Sequence, residues 1–254
     1  MRLAALLLLS PVIACSSTRI VKNYSDKGAV TDITVYEKDA VKSRIVFEYD
    51  QAGRVVTVSR FPGSETQASA ARTFVYDFYG KLAFQTHRSL ETADGKTMED
   101  AWVESFFYGY TGELVRSESS YKSSYAISHH RSPLVVTAYT YSNNVLEKIS
   151  VDGGVFRKDL SISYADEVPS EIEYREQALN RNTYALETTI YARFFLKKGM
   201  PSKADDRLTG TLITDKKAVR KLYEDAEVVE IINKPLHAAS LESLLKDIES
   251  DWTR

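Results

Sequence analysis

Three phrases share one arrangement: FEYDQAGRV at residues 47–55, FVYDFYGKL at 74–82 and FFYGYTGEL at 106–114. Each has an aromatic, a tyrosine two residues on, a glycine four residues after the tyrosine and an aliphatic two after that. Weaker copies headed by Tyr24, Tyr141, Tyr164 and Phe195 bring the total to seven, spaced 23 to 33 residues apart. Such recurrence restricts the fold more than any other feature of the chain. Before the turn the residues alternate, with Ile45, Phe47 and Tyr49 on one face and Val46, Glu48 and Asp50 on the other. Asp50 can accept backbone N–H groups at the start of a type I turn. Gly53 supplies the left-handed residue that closes a three-residue hairpin loop with a bulge. Tyr141 heads a turn one residue shorter with Asn144 near the glycine position. After Tyr164, Pro169 stands in for the glycine, and Gly199 follows Phe195.

Seven hairpins imply up to 14 strands, and an open sheet seldom exceeds about 10 without curling or splitting. The expected fold is mainly β: an antiparallel meander of hairpin units in a curled or partly closed sheet, with C-terminal α-helices packed on it. From Thr214 the period changes to helical. TDKKAVRKLYEDAEVV puts Ala218, Leu222, Tyr223 and Ala226 on one face. After the break at NKP, Leu241, Leu244, Leu245, Ile248 and Trp252 form an apolar stripe, with Ser240 as N-cap. Glu242, Asp247, Glu249 and Asp251 line the other side, which suits docking on the sheet better than lying on an anionic membrane. Three polar stretches, PGSETQASAAR, RSLETADGKTMED and SESSYKSSYAISHHRSP, read as loops or strand extensions.

The opening MRLAALLLLSPVIACSS has the layout of an export signal: a basic Arg2, an apolar run from Leu3 to Leu9 and small residues at Ala14 and Cys15. The run is shorter than the ~20 residues that span a bilayer. VIAC resembles the lipobox of bacterial lipoproteins. That resemblance implies cleavage before Cys15, acylation of its sulfur and its amine (palmitate among the chains), and an anchor of two or three chains, which holds a protein firmly. Ser16, rather than Asp, after the cysteine implies the outer membrane of the cell envelope. Cys15 is the only cysteine, so no internal disulfide forms. The expected divisions are residues 1–14, signal; 15–23, lipidated N-terminus and tether; 24–213, β-hairpin domain; 214–254, helical segment.

FEYDQAGRV also resembles the YD repeat of RHS-type proteins through Phe47, Tyr49, Asp50, Gly53 and Arg54. The family's repeats build long sheets coiled around a hollow interior, which implies hairpins and a curling sheet here.

With 33 basic against 35 acidic residues, no overall field points to nucleic acid. No G-x-S-x-G, nucleotide loop, H-E-x-x-H or EF-hand spacing occurs. His129 and His130 would point to opposite faces of a strand and lack a third ligand. Glu99 with Asp100, and Glu171 with Glu173, read as ordinary strand residues; Asp50 and Asp77 already have turn roles. No catalytic residue, metal or cofactor is therefore expected. The leading expectation is a non-enzymatic envelope lipoprotein binding a protein or polysaccharide partner through its sheet. The alternative is a carrier of lipid or another apolar ligand. In that case the stripe Phe47, Tyr49, Phe74, Tyr76, Phe106 and Tyr108 would line a pocket rather than a core, with Leu241, Leu245, Ile248 and Trp252 as lid. A third reading, a hydrolase of envelope polymer, requires a convergent cluster of Glu, Asp or His.

Overall fold

A turn that leaves the sheet through a bulge does more than reverse the chain, because each bulge adds twist and bends its strand. In the structure, a computed structural model describing residues 18–93, 96–121, 134–239 and 241–253, this device recurs in every hairpin that carries the motif. Fifteen strands form one antiparallel sheet in chain order. They are β1 Thr18–Tyr24, β2 Val30–Glu37, β3 Ala40–Tyr49, β4 Val55–Pro62, β5 Ala70–Tyr76, β6 Leu82–Ala93, β7 Lys96–Tyr108 and β8 Leu114–Tyr121. Then come β9 Leu134–Ser142, β10 Val145–Asp152, β11 Phe156–Ala165, β12 Val168–Asn180, β13 Ala185–Lys197, β14 Met200–Asp206 and β15 Thr211–Ile213. Three helices follow: α1 Lys216–Asp225, α2 Val228–Ala239 and α3 Leu241–Thr253.

All seven motif aromatics lie at or near the end of an odd-numbered strand, so their turns share one rim of the sheet, here called the turn rim. In each of those hairpins the register steps beside the turn, for example between Glu48 and Tyr49, Val75 and Tyr76, and Phe107 and Tyr108. Bulges aligned along one rim bend and twist their strands, and a sheet this wide rarely stays flat.

The turn chemistry follows the expected rule in the first four copies. In the second, the Gly53 N–H donates to the Asp50 carbonyl at 3.0 Å and the Asp50 N–H donates to the Arg54 carbonyl at 2.9 Å. Gly53 has φ +79°. The last three turns are two-residue loops with both residues at positive φ: Asn143–Asn144, Asp166–Glu167 and Lys198–Gly199. Such pairs match the twist of hairpin strands. Pro169 therefore has no part in its turn; it lies in β12 opposite Tyr164.

One face of the sheet carries the core, with Ile33, Ile45, Phe47, Phe74, Ile149, Leu160, Ile172 and Phe194 all buried. The helices cover that face from the last strands back towards the first. Asp215 caps α1, its carboxylate accepting the Ala218 N–H at 2.8 Å. Tyr223 meets Phe194 of β13 edge to face at 5.0 Å between ring centres. Lys158 of β11 pairs with Glu227 at 2.6 Å, Lys234 of α2 pairs with Glu104 of β7, and Lys22 of β1 pairs with Glu249 of α3.

Four details differ from the sequence reading. The sheet has a fifteenth strand, β15, of three residues. Residues 18–23, expected as tether, form most of β1. Val219, not Ala218, is the buried partner of Tyr223 on α1. NKP does not break the chain, since α2 runs through with Pro235 inside it. Among the expected loops, residues 88–93 and 96–100 extend β6 and β7. Ser240, His129 and His130 lie outside the described residues.

Candidate functional site

The aromatic stripe is part of the core. Phe47, Phe74 and Phe106 are buried, in one cluster with Ile248 and Trp252 of α3, while Leu245 packs against it half-buried. The side chain of Leu241, and Cys15 as a whole, lie outside the described residues.

The stripe's tyrosines have a further role. The Tyr49 hydroxyl donates to the Val30 carbonyl at 2.7 Å, Tyr76 to Val55 at 2.6 Å, Tyr108 to Leu82 at 2.8 Å and Tyr164 to Leu146 at 2.7 Å. Each acceptor is the first or second residue of the return strand of the preceding hairpin, so the hydroxyls tie neighbouring hairpins together where the ladder ends. Burial raises the Tyr76 and Tyr108 phenols to about 12. The residue after the glycine completes the link: the Arg54 guanidinium lies 4.5 Å from the Tyr76 ring centre, and the Lys81 ammonium 5.0 Å from that of Tyr108. Asp50 holds Arg54 in place with a 2.7 Å ion pair. The Arg54 backbone N–H, with smaller help from the guanidinium, lowers the Asp50 carboxyl below its ordinary range.

What sequence reasoning passed over are the two residues at the tip of each such turn. In most copies they are small or polar, but in the third they are Phe78 and Tyr79, and in the fourth Tyr110 and Thr111. A hairpin tip cannot reach its own core, so an aromatic there remains in water. Phe78 is 97% exposed, Tyr79 83%, and Tyr110 fully. That position was the available signal. Scattered exposed apolar residues are normal, whereas a cluster marks interaction surface.

Between these two turns is a cleft of about 660 Å³, walled by Tyr79, Tyr110 and Phe107. Its geometry is held from below. The Asp77 carboxylate accepts the N–H groups of Tyr79 at 2.9 Å and Lys81 at 2.8 Å, and Lys81 Nζ donates to the Gly112 carbonyl at 3.0 Å. Lys81 thus bridges the two hairpins. The cleft offers π faces beside hydroxyl groups of Tyr79, Tyr110 and Thr111, which suits a ligand carrying both C–H faces and hydroxyls.

Elsewhere the concave face turns polar over β6–β9. Glu104, 5% exposed, accepts from Gln85 Nε2 at 2.9 Å and Ser119 Oγ at 3.0 Å and pairs with Lys234. Beside it is a cavity of about 180 Å³ whose other charges, Lys158 and Glu227, pair with each other. A single compensated carboxylate is not an acid–base pair. Glu171 and Glu173 both pair with Arg193, at 3.1 and 3.4 Å, and Glu99 pairs with Arg88. Among the described residues, no group of three or more His, Cys, Asp or Glu is placed to hold a metal, and no helix is long and apolar enough to cross a membrane.

No protein-family model matches this chain, and no curated protein sequence matches it.

Proposed function

We propose that the chain is a non-enzymatic lipoprotein of the bacterial envelope, anchored through Cys15 in the outer membrane, that binds an envelope glycan at the turn rim. The observation that carries this reading is the exposed pair Tyr79 and Tyr110 around a cleft of about 660 Å³, with Phe78 exposed beside Tyr79. The axial C–H groups of a sugar ring carry partial positive charge and complement the negative face of an aromatic ring. Its hydroxyls match the Tyr and Thr hydroxyls beside those faces. A purely apolar partner would leave the Tyr79 and Tyr110 hydroxyls without a match, while Thr111 already donates to Glu113.

β1 starts at Thr18 on the rim opposite the turns, and three residues from Cys15 reach at most about 10 Å. An acylated Cys15 therefore holds that opposite rim against the bilayer. β7, with 13 residues, extends roughly 43 Å, which sets the Tyr110 turn far from the other end of its own strand.

Co-sedimentation of the full-length protein with insoluble envelope glycan tests the reading. Tyr79→Ala and Tyr110→Ala should each weaken binding by about tenfold, as loss of a central aromatic does at other interfaces, with unchanged thermal unfolding. Binding indifferent to both substitutions, or binding that follows an envelope protein rather than the glycan, overturns it. For the anchor, Cys15→Ala should move the protein from the membrane fraction to the soluble one.

A further inference from the structure

The far end of the sheet holds a second concavity that the core does not fill. Between α1, α2 and strands β11 to β14 is a pocket of about 540 Å³. Its floor is core, Ile162, Ile172 and Tyr223, while its walls include Leu196, Met200 and Val229. Met200 is 60% exposed and Val229 48%, although both face a concavity lined mainly by hydrocarbon. The volume lies within the range of small-molecule sites, about 300–1,000 Å³, which bind through mostly apolar walls and a few polar groups. Methionine suits such a wall because its unbranched thioether adapts to flexible occupants.

One cation at this pocket has no partner among the described residues. Arg220 of α1 lines the pocket and is exposed, and among the described residues it makes no ion pair. The adjoining turn adds Lys197 and Lys198, also unpaired among the described residues. Glu224 shares the lining one helical turn on, and Asp166 and Glu167 form the next turn of the rim. That balance favours an oxyanion of low charge received by the guanidinium fork.

We infer that this pocket binds the hydrocarbon chain of an amphiphile whose carboxylate or phosphate head is held by Arg220. The site is separate from the glycan cleft and does not depend on it, since its residues lie on β11–β14, α1 and α2. It also differs from a pocket along the aromatic stripe, which the core already occupies.

The test uses the full-length protein, freed of detergent, and displacement of the fluorescent probe 11-(dansylamino)undecanoic acid. The probe should bind saturably. Palmitate and 1-palmitoyl lysophosphatidate are the competing heads: stronger displacement by the first identifies a carboxylate ligand, by the second a phosphate one. Arg220→Gln should weaken both by about tenfold and leave hexadecanol unchanged, because only the charged heads lose a partner. Val229→Trp, at a half-exposed wall, should block probe and hexadecanol alike. No saturable binding by the folded protein, or binding unaffected by Val229→Trp, overturns the inference. An equal loss of palmitate and hexadecanol in Arg220→Gln overturns the assignment of the head to Arg220.

Discussion

At the scale of single residues, the motif tyrosine combines a ring that fills the core margin with a hydroxyl that ties one hairpin to the next. Tyr76→Phe and Tyr108→Phe should each cost about 1 kcal/mol in urea unfolding, the usual worth of one hydrogen bond, because ring burial is unchanged. The same contact sets a pH response. Both phenols are raised to about 12 by burial, so the folded state holds its protons more tightly than the unfolded chain, whose tyrosines titrate near 10. Their contribution is complete below about pH 10 and is lost as pH rises towards 12. The double phenylalanine variant should lose less stability across that window. His87 works in the opposite sense. Burial, then the neighbouring Arg72, lowers it to about 4, with Asp100 opposing, so its contribution is present above about pH 6.5 and lost as pH falls towards 4. Unfolding between pH 4 and 7 should show that slope, and His87→Phe should flatten it.

At the scale of elements, two turn chemistries share one rim. The early hairpins concentrate positive φ on a glycine, whereas the Asp166–Glu167 turn imposes φ of 50° and 65° on residues with a Cβ. Gly53→Ala should cost about 1 kcal/mol: the added methyl meets nothing within 4 Å, so the cost is conformational. Conversely, Glu167→Gly should stabilise by about 0.5 kcal/mol, the relief of a left-handed residue exceeding the entropy of glycine. Thermal unfolding of both variants measures the difference. The helices show the limit of local rules. α2 passes through Pro235, which removes a backbone donor, because its surroundings compensate: Val228 at its start is buried, and Ile231 and Ile232 pack on the core.

At the scale of the whole molecule, the sheet has two exposed edges and depends on the helices to close its concave face. Trp252→Ala removes a buried ring next to the chain end and should destabilise by about 3–5 kcal/mol in denaturant unfolding. Glu104 makes a different point. Substituting it alone by Ala strands Lys234 beside a largely buried polar patch and should cost about 3 kcal/mol, whereas Glu104→Leu with Lys234→Met should recover most of that loss.

The positions of all seven turns were legible, and the type of the first four, because a turn is a local problem. In the first three turns a serine or aspartate accepts a backbone N–H and a glycine at positive φ follows three residues on, so the whole device acts within five residues. The core face was legible for a similar reason, since Phe47 and Tyr49 declare their side of a strand by alternation alone. Other features needed three dimensions. β15 is too short for any period to emerge, and which of Ala218 and Val219 joins Tyr223 on the buried face of α1 depends on how the helix sits against the sheet, where Tyr223 meets Phe194. The same holds for both proposed sites: Tyr79 and Tyr110 wall one cleft only when adjacent hairpins align, and Arg220 reaches an apolar pocket only when α1 packs beside β11–β14. The sequence alone determined where the chain turns and which side of each strand is apolar, because those choices are settled between near neighbours. The tertiary structure decided what remains open to a ligand, because a concavity is made by surfaces that meet from distant parts of the chain.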